Sequence, residues 1–464
     1  MWWLVACTLV LTGTYAVLYG VLGGFRNAPT AQERISAYPI TFGLYLLAVW
    51  LVCRARRHPR QERHNLWVIL LGAIAFRATV LGGVVPPNPD LGRHLWEGKV
   101  LLEGYNPYAA APADSTYDAL KAQLSARGDD LYSGGWLRFA RVRSVYGPVA
   151  TALFAIPHLL PVDRVFALRL LMSCFDILTV LALVTLARAV GRPPTWVVVY
   201  AWSPVCINGF ADRGQVDAAM VFLVVAAVVL AQSRRPWMAG VLFAGAILTK
   251  VSPLLLLLPL LRCCGGRFAL AFFATALVGV LPFTGAGVSG LDGFVQFADR
   301  WRANDSAFSL LTYALSPLSA WLDPSRVARA GLTVMVGLYA AVHSLRGDPG
   351  ASRWLVGRAA AICAAVIICS PVTYPWYTAL MVAFVCVQPS APLIGLTLAP
   401  MFWYTRFVTG PEGTLWHAVK SLETRWFQPW RAPVYGVVAL LFARDALSHK
   451  KRSAKVLGDD MPNQ

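Results

Sequence analysis

Charge is what this sequence has least of: 14% of its 464 residues are Asp, Glu, Lys or Arg, against 57% hydrophobic. Soluble globular domains carry roughly a quarter charged residues, so a water-exposed globule is excluded and a polytopic membrane protein is expected. Acidic residues are scarcer than basic ones, 23 against 41, yet the excess does not point to nucleic acid. Many of the basic residues fall in short clusters between apolar runs, at 54–63, 188–192, 234–235, 262–267 and 450–455, the distribution that orients a membrane protein. The polar segment 86–146 has no cysteine; all nine lie in apolar runs or at their basic ends. That excludes a disulfide framework in the segment. Metal-ligand spacing is lacking as well, Cys263-Cys264 being adjacent and unaccompanied. The N-terminus has no basic n-region, and its apolar run is too long for a signal peptide, so residues 2–23 are expected to remain as a first span. No clear internal repeat is visible.

With the basic clusters placed in the cytoplasm, the apolar runs trace roughly 12 to 14 crossings at about 20 residues each. Residues 2–23 leave, 38–53 return and 66–85 cross outward, which delivers 86–146 to the exoplasmic face. Inside that loop, 91–103 and 117–126 have helical spacing with one apolar face, as juxtamembrane surface helices do, and Asn106-Pro107 ends the first. The run 149–160, opened by Tyr146-Gly147-Pro148, is short for a span and would put the 188–192 cluster outside if it crossed. A half-inserted helix is expected there, with 165–187 as the return. Residues 196–207 exit, 218–231 return, and 238–261 go out and back as one broken hairpin interrupted by Thr249-Lys250-Val251-Ser252-Pro253. The path closes with 268–281, a second outer loop at 285–306, a short apolar stretch at 308–322, then 327–343, 355–368, and a short pair at 380–387 and 393–402. A third outer loop at 409–431, a last span at 434–443 and a polar tail at 448–464 complete it. The expected fold is an all-α polytopic membrane protein, one helical domain over 1–447 with both termini cytoplasmic.

This path gathers polar groups on one side. Asp90 stands just after the apolar run ending at Val85, at the lipid–water boundary, where a carboxylate can serve as base toward a membrane-borne substrate. An Asp before a helical run is also a favoured N-cap, but capping alone requires no place at the boundary, so the functional role is preferred. Arg93 fits either a bidentate phosphate contact or a snorkelling contact with headgroups. His94 has no second metal ligand or nucleophile spaced with it, which makes it a surface or packing residue on the substrate side before a catalyst. Lys250, amid GVLFAGAILTKVSPLLLLLPLL, is costly unless it faces a polar cavity or an anion. Asp212, Gln215 and Asp217 line such a cavity, orient Arg213 or start the next helix. Arg300 and Arg302 join by position, in a stretch that reads more readily as an ordinary polar loop. Tyr146, Tyr374, Trp376 and Tyr377 offer aromatic faces, although aromatic belts at span ends are routine. Arg169 and Asp176, on one helix face, are expected to form a structural pair.

The run Asp90-Leu-Gly-Arg93-His94-Leu-Trp96-Glu97 through Gly104-Tyr-Asn106-Pro107-Tyr108 resembles the first exoplasmic loop of bacterial glycosyltransferases of the C-type superfold. Within that superfold it is similar to the polyprenyl-phosphate-mannose-dependent mannosyltransferases. The likeness continues at Val145-Tyr146-Gly147-Pro148, where the family usually shows Tyr-Pro-Pro, and at 208–217, 240–253 with its Leu-Thr-Lys-x-x-Pro, and 370–377. The resemblance implies a helix bundle of that type and an inverting transfer of a sugar from a polyprenyl phosphate. The residue matching Asp90 would deprotonate an acceptor hydroxyl, and the phosphate would leave against positive charge, for which Lys250 and Arg302 are placed by position. The chain departs from the pattern twice. Pro89-Asp90 replaces the paired acids of many relatives, which argues against a metal built on the pair, and no cofactor is implied. Tyr-Gly-Pro in place of Tyr-Pro-Pro is expected to loosen the start of the half-helix.

Three functions compete. A membrane glycosyltransferase would work in the lipid bilayer on a lipid-linked donor and a glycan, lipid or protein acceptor, with no nucleic acid. A secondary transporter or flippase for lipid-linked sugars would be expected to show paired broken helices in two halves, whereas one broken hairpin is visible here. An inactive scaffold that kept the fold is the third.

Overall fold

The protein is described by a computed structural model, covering residues 2–20, 38–55, 58–83, 89–129, 137, 139–401 and the single positions 436, 439, 440 and 443. The loop, span and tail expected at 409–431, 434–443 and 448–464 lie outside the described residues except at those last four positions.

Among the described residues the chain is helical, with a lone bridge between Ala303 and Val372 and no strand. Helices α1 (Trp2–Leu18), α2 (Tyr38–Arg54) and α3 (Pro59–Leu81) precede the polar segment, which holds α4 (Pro89–Leu102) and α5 (Asp118–Ala126). Next come α6 (Pro148–Ala155) and the long α7 (Arg164–Ala189). Two four-residue helices, α8 (Val198–Ala201) and α9 (Pro204–Ile207), lead through a π-helical turn (Asn208–Asp212) to α10 (Asp217–Gln232) and α11 (Pro236–Thr249). The remainder is α12 (Leu257–Cys264), α13 (Gly266–Val280), α14 (Asp292–Arg300), α15 (Ala307–Leu315), α16 (Pro324–Leu345), α17 (Trp354–Cys369), α18 (Ala379–Val387) and α19 (Ala391–Leu398). The protein is an all-α polytopic membrane protein. Four helices, over Pro59–Leu81, Arg164–Ala189, Gly266–Ala286 and Pro324–Leu345, are long and apolar enough to cross a membrane, and the other apolar helices are shorter, at 10–17 residues. The sequence count of crossings treats those shorter helices as spans.

Local chemistry sets the boundaries. Proline opens α3, α6, α11 and α16, where its missing N–H costs nothing and its φ is already helical. Asp163 caps α7 by accepting from the Phe166 N–H at 2.7 Å, and Asp323 caps α16 through the N–H groups of Ser325 and Arg326. The helix expected over 91–103 is α4, which ends at Leu102; Gly104, at φ 80°, turns the chain ahead of Asn106-Pro107.

The expected pairing of Arg169 with Asp176 is not formed. Asp176 instead accepts from Arg77 Nε of α3 at 2.7 Å, with both side chains buried, and Arg77 Nη1 also donates to the carbonyls of Ala73 and Ala201. Arg169 donates to Val80 O and Ala211 O, each at 2.8 Å. It thereby satisfies a last-turn carbonyl of α3 and one in the π-helical turn. The exit expected at 196–207 is likewise not one continuous helix: Ser203-Pro204 divides it and the π-turn follows. The expectation of one broken hairpin is thereby corrected, since this run is interrupted as well as the one at Lys250. Its interruption is held by Tyr19 Oη on Asn208 Oδ1 at 2.6 Å, Tyr45 Oη on Val199 O and Trp202 Nε1 on Ile69 O.

Candidate active site

Pro89 starts α4, so Asp90 falls within the first helical turn and is not the cap. A carboxylate is favoured there by the unpaired N–H groups of the helix start. Asp90 lines a cavity of about 1260 Å³. Its Oδ2 accepts from Gln215 Nε2 at 3.3 Å. The π-turn places Gln215 opposite the start of α4, and this turn is in turn held by Arg169.

Three residues after Asp90, Arg93 is almost fully buried and committed to protein. Its Nε donates to Glu97 at 2.7 Å, and its two Nη groups donate to Phe139 O and Val142 O. Glu97, also buried, accepts from Ser144 Oγ at 2.6 Å, and Ser144 Oγ accepts from the Tyr146 N–H at 3.3 Å. Helix α4 therefore fixes the strand of backbone 139–146 through a continuous charge-assisted chain. Arg93 lines the cavity as part of that chain, not as a loose headgroup anchor.

His94 is fully buried, stacked on Phe154 of α6 at 4.3 Å between centroids, with Nε2 at 2.9 Å from Tyr146 Oη. Burial, with the charges of Lys250 and Arg93 adding, holds its pKa down to about 3. His94 is thus a neutral packing residue behind the cavity wall, and Tyr146 forms the wall. Burial, and then the negative charge of Asp90, pushes the Tyr146 phenol well above its usual range, so it stays protonated.

The start of α6 is tight, contrary to the loosening expected from Tyr-Gly-Pro. The Gly147 N–H donates to Thr249 O at 3.3 Å, and a Cβ at Gly147 would stand 2.0 Å from Leu248 O. Only glycine allows the turn to press on the last carbonyls of α11, next to Lys250.

Lys250 terminates α11. Its Nζ donates to both carboxylate oxygens of Asp217, at 2.8 and 2.9 Å, and lies 3.7 Å from the Tyr377 ring centroid. Asp217 opens α10 and is 2% exposed, so helix start, cavity lining and lysine partner are one residue's roles. Tyr374 stacks on Trp376 at 5.0 Å and 6°, and Arg213 lies 5.7 Å from the Trp376 ring. Trp376 is buried, which leaves Tyr374 and Tyr377 as the more accessible aromatic faces.

Asp90, Gln215, Asp217, Lys250, Tyr146 and the Tyr374–Tyr377 aromatics thus meet in one cavity. Residues 145–371 match the model of glycosyltransferase family 87. The match indicates glycosyltransferase activity and fits a membrane enzyme of the C-type superfold. It takes in Tyr146, Gln215, Asp217 and Lys250 and leaves Asp90 and the aromatics of 374–377 outside. No curated protein and no solved structure matches the chain.

Other groups of the glycosyltransferase fall away from the cavity. Arg302 is held by Asp305, at 3.0 and 3.1 Å, and by Ser309; Arg300 is exposed at the end of α14; Asp212 is buried in the π-turn. None of the three lines the cavity. A cation that does line it is Arg329 of α16, which donates to Ala298 O and Trp301 O at 2.8 Å each. Arg329 interrupts an apolar run as Lys250 does, and the same cost argument applied to 327–343 would have found it.

Two loops close the site from one side. Asn106 Nδ2 donates to Phe283 O, Tyr108 packs edge-on to Phe283, and Arg143 donates to Ser289 O at 2.6 Å. Farther along, Ala303 N–H and Ala303 O pair with Pro371 O and Thr373 N–H, tying 301–304 to the aromatic segment. Most of the cavity lining is apolar, with Leu255, Val280, Phe283, Phe294, Leu332 and Val366 among it. Among the described residues no group of three His, Cys, Asp or Glu side chains could hold a metal ion.

Proposed function

We propose that this glycosyltransferase moves mannose from a polyprenyl phosphate to an acceptor hydroxyl at the exoplasmic face of the cell membrane, with inversion and with both termini cytoplasmic. The acceptor is a glycan, a lipid or a protein. Asp90 takes the proton from the acceptor hydroxyl as its oxygen bonds to the anomeric carbon, and the bond from that carbon to the phosphate oxygen breaks, releasing polyprenyl phosphate. The observation that carries this reading is the position of the Asp90 carboxylate, beside Gln215, on the wall of a large and mostly apolar cavity. A cavity of about 1260 Å³ exceeds the roughly 300–1,000 Å³ of ordinary small-molecule sites, which suits a sugar, its phosphate and the first prenyl units together. Among the described residues four cations line the wall, Arg93, Arg143, Lys250 and Arg329; Lys250 and Arg329 are assigned to the leaving phosphate, Arg329 in the role expected for Arg302. Tyr374 and Tyr377 offer faces to a pyranose ring, and the first-loop likeness supports mannose as the sugar.

Incubating the purified protein with polyprenyl-phosphate-linked mannose, glucose and arabinose, and measuring released polyprenyl phosphate and glycosylated acceptor by mass spectrometry, tests this. Release from the mannose donor is expected; release from none of them contradicts it. One observation favours a second reading, transport of lipid-linked sugar: interrupted helices reach the cavity wall at Gln215–Asp217 and again at Lys250–Pro253. Uptake into proteoliposomes without any new glycosidic bond would select it.

A further inference from the structure

The pair formed by His94 and Tyr146 is not used by the transfer as drawn above. His94 Nε2 lies 2.9 Å from Tyr146 Oη, while His94 Nδ1 is buried with no partner. A neutral imidazole carries its proton on one nitrogen or the other. A proton on Nδ1 would be a buried N–H donor without an acceptor, a situation proteins avoid more strictly than an unused lone pair. A proton on Nε2 is used at once, because it is donated to Tyr146 Oη, and Nδ1 is left as a bare lone pair beside the Phe154 stack. In that arrangement the tyrosine oxygen is the acceptor, so its own hydrogen is turned away from His94. Tyr146 lines the cavity with Asp90, and among the described residues His94 is the sole partner of its hydroxyl.

Two cations on the cavity wall are already committed to protein groups. Lys250 is bound by Asp217, and Arg93 is bound by Glu97 and two carbonyls. We propose that His94 is a positioning residue: by donating from Nε2 it directs the Tyr146 hydroxyl hydrogen into the cavity, where it bonds a phosphate oxygen of a glycosyl phosphate beside Asp90. This rests on reading the cavity as a lipid-phosphate sugar site. Tyr146 is then the group that touches substrate, and His94 acts through it.

Two measurements test the proposal. The first is a cycle of His94→Phe, Tyr146→Phe and the double variant, with kcat and KM for polyprenyl-phosphate mannose. Each single change is expected to lower kcat about tenfold to a hundredfold, the loss of one hydrogen bond to a charged group, and His94→Phe is expected to cost nothing further once Tyr146 is Phe. Equal losses from His94→Phe in both backgrounds would overturn it. The second measurement uses the wild-type protein and needs no turnover: ¹⁵N NMR of histidine-labelled protein, with the His94 signal assigned by its disappearance in His94→Gln. The Nε2–H tautomer is expected, and the Nδ1–H tautomer would overturn the proposal even if His94→Phe fails to fold. A wild type that turns over no donor would remove the transfer reading, while the tautomer still decides how the pair is arranged.

Discussion

Lys250 Nζ sits between the carboxylate of Asp217, 2.8 and 2.9 Å away, and the face of Tyr377, 3.7 Å from its centroid. The lysine that looks in sequence like a lone cation in lipid is half of an ion pair. Its charge reaches the cavity already balanced, so its effect on an incoming phosphate is that of a dipole, with the positive end at Nζ.

Replacing Lys250 by Met leaves the Asp217 carboxylate, 2% exposed, without its partner. A loss of about 3 kcal/mol is expected, as for other buried pairs broken on one side, and Lys250→Met with Asp217→Asn should recover most of it. Thermal unfolding in detergent reads both. A Lys250→Met protein as stable as wild type would show that Asp217 does not depend on this lysine.

The same logic applies to Arg77 and Asp176, which are 2% and 0% exposed and 2.7 Å apart. Asp176→Ala is expected to destabilise by about 3–5 kcal/mol, while Arg77→Leu with Asp176→Leu is expected to cost much less. Combining Asp176→Ala with Arg169→Leu adds a contrast: the two losses should add, because Arg169 bonds carbonyls and not Asp176.

At Gly147, alanine would force a Cβ to 2.0 Å from Leu248 O. Backbone cannot yield there without moving the end of α11 and with it Lys250. Gly147→Ala is expected to destabilise by about 3 kcal/mol and to lower sugar transfer, whereas Gly191→Ala, where a Cβ meets nothing within 4 Å but φ is 66°, should cost only the backbone strain. Unfolding midpoints and transfer rates for the two variants separate crowding at the site from general glycine effects.

His94 gives a pH signature. Its folded pKa is lowered from 6.5 to about 3, so below pH 6.5 the unfolded chain takes up a proton that the folded chain refuses. Stability therefore falls as pH drops from about 6.5 toward 3, and the His94→Phe variant should show a shallower decline over that window. Parallel declines in the two proteins would place the imidazole in contact with water.

Much of the architecture is written in the sequence because lipid imposes it. Apolar runs broken by basic clusters mark most helices to within a few residues, as at α7, α16 and α17, and the break at Lys250 is visible as a lysine with Ser-Pro beside it. What sequence does not carry is partnership across helices. Spacing puts Arg169 and Asp176 on one face, yet the geometry of α3 brings Arg77 to Asp176 and sends Arg169 to carbonyls. Likewise Arg302 looks available until Asp305 is seen beside it, and Gly147 looks loose until Leu248 O is seen behind it. The interruption at 202–212 has one sequence signal, Ser203-Pro204 within the apolar run, while the π-helical turn after it and the tertiary hydrogen bonds that hold it have none.

Asp90→Asn is the sharpest measurement. The amide keeps the size of the side chain and its contact with Gln215 but removes the base, so the variant should fold with an unfolding midpoint near that of wild type. Single-turnover transfer from polyprenyl-phosphate mannose, followed by mass spectrometry of released polyprenyl phosphate, is expected to drop at least about 10²-fold. Transfer by Asp90→Asn at the wild-type rate would contradict the account.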